Sequence, residues 1–411
     1  MSRLSSVAAL GVRLAPLVLG WLAAINLLAG TVNALRPHQS QDLKTVREWS
    51  TLWLWEAANP YAVARADYPP NALIFLSPLA LVPEQLVALI WVGLSLGLAA
   101  ISVWLTFRML FPQASLRAVV LPALLFLSWG GLRIGLGVGQ FHLLALTLGL
   151  AAVATADKRP HVSGVLLGLA LIKPHLAGAF FLWAVLTRRW RVAVIALLIV
   201  LLGVLAFAAR LGRSPIELAL SYLSVLESEL AGSTPATGVD LRPLLHLMMG
   251  PTQEASVVHV GLVAVLLAAV VGLAMRLGRA QHPGPILLSL CCVFALLALP
   301  HSVYDIVLLL PVALWLHGAS RPSATVAWSK HATSKWIVFW LLQAALVLEV
   351  PGIAYKLTGH SRAALPLLTG VDTAIVAVVF AYLLWTARVR TARLREQRDP
   401  GAGGWVGTGA A

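Results

Sequence analysis

The sequence predicts an all-α polytopic membrane protein with about 12 transmembrane helices, and three observations predict it. Hydrophobic residues make up 59% of the 411-residue chain and charged residues only 11%, a balance suited to lipid rather than water as the solvent. Apolar runs approaching the length of a bilayer crossing recur along the chain, and a backbone in hydrocarbon must satisfy its own polar groups, so such runs become helices. Arginine and lysine gather at the ends of these runs. The net charge of +14 therefore belongs to cytoplasmic loops, and nucleic-acid binding is not expected.

Taken in order, Leu14 to Leu35 reads as a first span and permanent anchor, because it is long and lacks a small-residue cleavage site before the polar segment. Arg36 to Pro70 is the longest polar stretch of the N-terminal half and the first candidate active-site loop. Within it Leu43, Val46, Trp49, Leu52, Trp53 and Trp55 recur at helical spacing, which predicts an amphipathic helix along the membrane surface. Tyr68-Pro69-Pro70 is expected to end that helix. Asn71 to Val82, interrupted by Pro78, reads as a shallow or re-entrant helix, and Gln85 to Phe107 as a full span.

Further apolar runs cover Val119 to Val138, Phe141 to Ala156, Val162 to Ile172, His175 to Thr187, Val192 to Ala208, Ala255 to Ala274, Pro285 to Leu299, Ser302 to Leu316, Trp336 to Val350 and Pro366 to Trp385. A rival count makes Asn71 to Val82 a true span and Val162 to Thr187 one continuous helix; its basic loops obey the charge rule less well. The organisation expected is a single integral membrane domain, 1–386, with outer loops at 36–70 and 210–254. A basic and then glycine-rich cytoplasmic tail, 387–411, follows it. Cys291 and Cys292, the two cysteines of the chain, lie adjacent in an apolar run and read as packing residues.

With a cytoplasmic N-terminus, this count places Arg108, Arg117, Lys158, Arg159, Arg188 to Arg191, Arg276, Arg279, Arg321 to Lys335 and Arg388 to Arg398 inside. The polar interruptions then converge on the outer face, where ionisable groups at membrane depth are functional candidates by default. Asp42, just after the first span, is a carboxylate that can accept a proton from a hydroxyl nucleophile, or equally a helix-capping residue. Tyr61, within Asn59-Pro60-Tyr61, and Tyr68 mark a rigid aromatic turn returning to the membrane.

Gly135, Gly137 and Gly139 precede Gln140-Phe141-His142, with Arg133 upstream. No strand precedes them, so this is not a dinucleotide fingerprint, and a close helix interface explains the glycines better than it explains Arg133, Gln140 and His142. Lys173-Pro174-His175 splits an apolar stretch into two pieces of about 11 to 13 residues, or roughly 16 to 20 Å of helix each. Such breaks are tolerated where backbone lines protein or a wet cavity, and a lysine there can hold a phosphate as a point charge. In Pro300-His301-Ser302-Val303-Tyr304-Asp305, His301 and Asp305 fall one helical turn apart and can share a proton or a ligand; the alternative is a cap at Ser302 or Asp305. Asp42 and Asp305 are too few and too far apart in sequence to suggest a metal site, and no cofactor is expected. The 210–254 loop, with Glu227, Asp240, Arg242 and His246, has no role that its sequence assigns.

Together, Gln41-Asp42-Leu43, Asn59-Pro60-Tyr61, Tyr68-Pro69-Pro70, Gly139-Gln140-Phe141-His142, Lys173-Pro174 and His301-Ser302-Val303-Tyr304-Asp305 resemble glycosyltransferase family 87, over roughly Asp42 to Asp305. The resemblance implies a multi-span fold of the C superfamily of membrane glycosyltransferases, in the cell membrane, with the active site facing the periplasm or cell exterior. It implies a polyprenyl-phosphate-linked sugar donor, mannose foremost, and a lipid or glycan acceptor such as a phosphatidylinositol mannoside. By the same resemblance Asp42 is the general base. Lys173, His301 and Arg133 stabilise the departing phosphate, and Gln140, Tyr61 and Tyr304 position sugar hydroxyls; His142, Tyr68 and Asp305 complete the candidate site. Many members carry a tyrosine a few residues after the aspartate, whereas Leu43 to Glu48 contains none, so acceptor contacts near Asp42 are expected to differ. The competing functions are a transporter or flippase of a lipid-linked glycan, which would favour two related halves that are not evident here, and a noncatalytic scaffold, which would tolerate loss of Asp42.

Overall fold

The structure, a computed structural model, describes residues 2–36, 39–64, 66–232, 239–277, 284–320, 330–348 and 365–398. The glycine-rich tail expected from 401 onward and most of the expected loop from Val350 to Leu365 lie outside them. Among the described residues every regular element is helical.

α1 (Ser2–Leu35) carries the first apolar run. Ser40, in the left-handed region at φ 57°, turns the chain into α2 (Gln41–Leu54). This helix buries Leu43, Val46, Trp49, Ser50 and Trp53 on one side, against α4 (Pro70–Leu76) and the 3-10 turn Ser77–Leu81 that follows it. The apolar side predicted from the tryptophan spacing is thus covered by the protein's own helices, and Trp55 stands out of it.

The prolines of the first loop act differently from expectation. α2 ends at Leu54, and Ala57 at positive φ redirects the chain. Pro60 then opens the short α3 (Pro60–Val63), and Pro70 opens α4, each in the first turn, where a missing N–H costs nothing. Tyr68-Pro69-Pro70 therefore starts a helix instead of ending one.

α5 (Glu84–Leu110) is one long helix. The run Val119 to Val138, expected as one span, is two helices, α6 (Val120–Leu127) and α7 (Gly130–Val138), bent by 67° at the break. The break is held from outside. Asn26 of α1 donates to the Ser128 carbonyl, the Ser128 hydroxyl donates to Leu125 O at 2.7 Å, and the Trp129 indole donates to Gln343 Oε1 at 3.0 Å.

Next come α8 (His142–Thr155), α9 (Pro160–Ala170), α10 (Pro174–Leu186), α11 (Trp190–Leu211), α12 (Pro215–Gly232), α13 (Leu241–Met249), α14 (Gln253–Leu277) and α15 (Gly284–Ala298). A 3-10 turn, Val303–Leu309, leads into α16 (Leu310–Ser320), followed by α17 (Lys330–Leu348) and α18 (Leu365–Arg398). Val162 to Thr187 is thus interrupted at Lys173, against the rival count. Cys291 and Cys292 are buried free thiols in α15.

Five described helices are long and apolar enough to cross a membrane, namely Pro16–Leu35, Leu86–Leu110, Trp190–Leu211, Gln253–Leu277 and Gly370–Val389; the bent α6–α7 pair makes up to six. The other apolar helices have 10–17 residues, too short to span about 30 Å of hydrocarbon singly. The chain is a membrane protein; of the about 12 crossings the sequence predicts, five or six are matched by described helices of full spanning length, and short apolar helices lie between them. Lipid-compatible faces are visible on the long helices: Val194, Leu197, Leu201 and Leu205 of α11 are all exposed, a stripe that water would not favour.

The glycines around α7 explain how several elements meet there. A Cβ at Gly131 would stand 2.6 Å from Val303 O, at Gly135 2.0 Å from the His142 ring, and at Gly137 2.7 Å from the Asn33 side chain. Gly139 combines φ +78° with Leu43 Cβ at 2.6 Å from the position its own Cβ would take, so both the left-handed turn and the close approach of α2 require glycine.

Candidate active site

Four chain breaks bring their polar residues together: the start of α2, the α7–α8 junction, the α9–α10 break and the segment before the 3-10 turn. At the centre of one half is Gln140, which the Gly139 turn delivers beneath α2. Its amide nitrogen donates one hydrogen to Asp42 Oδ2 and the other to Tyr304 Oη at 2.9 Å, while its carbonyl accepts from Tyr68 Oη at 3.2 Å. Three partners fix the amide orientation, so the Asp42 carboxylate is held in one place.

Burial raises the Asp42 carboxyl above its ordinary range, and the Gln140 hydrogen bond and the positive charge of Lys173 only partly oppose it. A carboxylate in that state is a stronger base than one in water, and it remains ionisable.

The other half is built on Asp305. Pro174 lacks an N–H and forces the preceding residue out of the helical region, so Lys173 sits at φ −123°, ψ 81° at the N-terminal edge of α10. Its ammonium reaches Asp305 Oδ1 at 2.7 Å and lies 4.6 Å from the centre of the Tyr304 ring. Lys173 and Asp305 are both buried. Two histidines converge on the second carboxylate oxygen: His175 Nε2 at 3.5 Å and His301 Nδ1 at 3.4 Å from Asp305 Oδ2, their rings 5.0 Å apart. The Ser302 backbone N–H also donates to Oδ2, at 3.2 Å, and Asp305 N donates to Ser302 O. The capping role considered for Ser302 and Asp305 is therefore present alongside the charge cluster.

The remaining predicted residues lie around these halves. Tyr61 does not reach Gln140; it donates to the Tyr68 backbone carbonyl at 3.0 Å and packs between Phe207 and Tyr222, which steadies Tyr68. His142 is buried with its ring 5.8 Å from Tyr304, and neither ring nitrogen has a hydrogen-bond partner among the described residues. Arg133 is placed on α7 where its backbone carbonyl faces Gly30 of α1.

Two contributors were not among the predicted site residues. His175 belongs to the Lys-Pro-His motif, and the helix break is the signal that pointed near it. Val239, in the loop to which sequence assigned no role, donates its N–H to the His301 carbonyl at 2.9 Å. Beside it Asp240 caps α13, is gripped by both ends of the Arg242 guanidinium at 2.8 Å, and has its carbonyl bonded by Thr373 Oγ1 of α18 at 2.9 Å.

Residues 67–300 match the sequence profile of glycosyltransferase family 87. That segment contains Tyr68, Arg133, Gln140, His142, Lys173 and His175; Asp42 and Tyr61 precede it, and His301 follows it directly. A polyprenol-phosphate-mannose-dependent alpha-(1-2)-phosphatidylinositol pentamannoside mannosyltransferase of Mycolicibacterium smegmatis is 35% identical over 127 residues, which is 30% of this chain and 30% of that protein. The match therefore spans under a third of the relative's length. No solved structure matches significantly.

Proposed function

Since the chain belongs to glycosyltransferase family 87, we propose that it is a membrane glycosyltransferase that moves a sugar, mannose foremost, from a polyprenyl-phosphate carrier to a lipid or glycan acceptor. The observation that carries this reading is the Asp42 carboxylate, fixed by Gln140 and facing the polar cluster of Lys173, Tyr304, His301 and Asp305. The acceptor hydroxyl gives its proton to Asp42, its oxygen forms a bond to the anomeric carbon, and the bond from that carbon to the phosphate oxygen breaks. Polyprenyl phosphate leaves with the electron pair, and the anomeric centre inverts.

Lys173 and His301 face the departing phosphate in this reading, and Arg133 is added to them by the family resemblance alone. Gln140 and Tyr304 are assigned to the sugar hydroxyls by the resemblance, and Tyr68 and Tyr61 hold Gln140 and its neighbours in register. The site opens to the periplasm or exterior, with 36–70 and 210–254 as outer loops of one membrane domain. That placement rests on the charge rule applied to the count of about 12 crossings read from the sequence. The relative's printed dependence on polyprenol-phosphate-mannose supports the choice of donor.

The test is transfer of labelled mannose from polyprenyl-phosphate-mannose to extracted envelope lipids by the purified protein in detergent, wild type against Asp42→Asn. Labelled product from wild type alone, with both proteins folded, sustains the reading. Equal labelling removes Asp42 as the base. Absence of product with several polyprenyl-linked sugars removes transfer itself and favours transport of a lipid-linked glycan.

A further inference from the structure

We propose that His175, His301 and Asp305 form a binding site for a divalent transition-metal ion of the zinc class. One ligand atom from each, His175 Nε2, His301 Nδ1 and Asp305 Oδ2, lies within 4.8 Å of the others. The two histidine–carboxylate spacings suit metal ligation better than hydrogen bonding, and the two imidazole nitrogens, within 4.8 Å of each other, draw closer on an ion. An N–H···O bond has its heavy atoms about 2.7–3.2 Å apart, whereas both imidazoles stand at 3.4 and 3.5 Å from the carboxylate oxygen. A tetrahedral ion with bonds of about 2.0–2.2 Å sets neighbouring ligands about 3.3–3.6 Å apart.

A second observation points the same way. His301 is buried, and its Nδ1, the atom turned toward Asp305, has no hydrogen-bond partner among the described residues. A buried polar atom left without a partner is costly, and a ligated ion would satisfy it. Two imidazoles and one carboxylate are a donor set that suits zinc, with a position left open. The outer contacts fit as well: Asp305 Oδ1 is held by Lys173 and Oδ2 also takes the Ser302 N–H, which orients the lone pair that remains. His175, with 32% of its side chain exposed, provides the entry path.

Charge gives the ion a purpose, and this part rests on the transferase reading above. Lys173 is already paired with Asp305, and Asp42 adds a second carboxylate, so carboxylates outnumber the one ammonium in this cluster. A departing phosphate is repelled by that excess. A divalent ion reverses it, and its open position can take a phosphate oxygen.

The experiment uses the full chain in detergent, stripped with chelator and then titrated with Zn²⁺, with retained metal measured by mass spectrometry. Co²⁺ serves as a second probe, read by its visible tetrahedral absorption. The expected result is one equivalent retained by wild type and by His161→Ala, a surface control, with retention weakened at least tenfold in His175→Ala and His175→Gln. Zn²⁺ should raise the thermal midpoint of wild type and not of either His175 variant, which keeps the test decisive if one variant is itself less stable. Equal retention by wild type and both His175 variants, or none by wild type, overturns the site. No substrate is present in these measurements, so failure of sugar transfer and failure of metal binding are separate outcomes.

Discussion

The two halves of the site are built to different standards. Around Gln140 every available group is used: both amide hydrogens and the carbonyl have partners, and the longest measured of these bonds is 3.2 Å. Around Asp305 one oxygen is tightly held by Lys173 at 2.7 Å, while the other takes the Ser302 N–H at 3.2 Å and also looks onto two histidines across 3.4 and 3.5 Å. A closed network fixes a reactive group in advance of substrate, whereas a loose one leaves space that an occupant must fill. The first half therefore suits a base whose position must not vary, and the second suits the binding of charge.

The sharpest way to break this comparison is Asp42→Asn. It keeps the shape of the side chain but removes the base, and transfer should fall by about 10² to 10⁴-fold in kcat with the protein still folded. Next is Lys173→Ala, which leaves Asp305 buried without its tight partner. We expect a loss of stability of about 3–5 kcal/mol, read as a lower unfolding midpoint in detergent, with much of it recovered when Asp305→Asn is added.

Gln140→Ala probes how far the closed network holds Asp42. Because slight misplacement of a reacting group costs up to about 10²-fold, kcat should fall by about ten- to a hundredfold, with less change in KM. The same variant has a pH signature. A base at Asp42 acts only when ionised, so on the proposed mechanism transfer is lost as pH falls through its pKa. Burial already raises that pKa and the Gln140 hydrogen bond opposes the rise. Removing Gln140 should therefore move the acidic limb of the rate profile to higher pH. Smallest is Gly135→Ala: its Cβ would stand 2.0 Å from the His142 ring, and the overpacking should cost about 1–3 kcal/mol in a thermal unfolding measurement, with activity per folded molecule largely retained.

Local chemistry made some of this legible from sequence. Pro174 announces the break that takes Lys173 out of the helix, the glycines before Gln140 announce a close helix interface, and the spacing of His301 and Asp305 places them on one face. What stayed hidden was pairing over distance. Gln140 and Asp42 are 98 residues apart and Lys173 and Asp305 are 132 apart, and no periodicity links such positions. His175 was visible only as the end of a motif, because its partner lies on another helix. One expected span is bent for a related reason: apolar composition marks Val119 to Val138 as continuous, but Asn26 and Gln343, far away in the chain, hold the bend at Ser128 and Trp129. Tryptophan spacing likewise found the buried side of α2 without revealing that protein, not lipid, covers much of it.

Pro174 carries a consequence beyond its local geometry. With an ordinary helix former in its place, Pro160 to Leu186 would run about 40 Å as a single rod, ample for a crossing, and the ammonium of Lys173 would be stranded halfway along it. A single five-membered ring thus separates two short helices that would otherwise join, and it keeps Lys173 at a chain break beside Asp305 instead of inside a continuous rod.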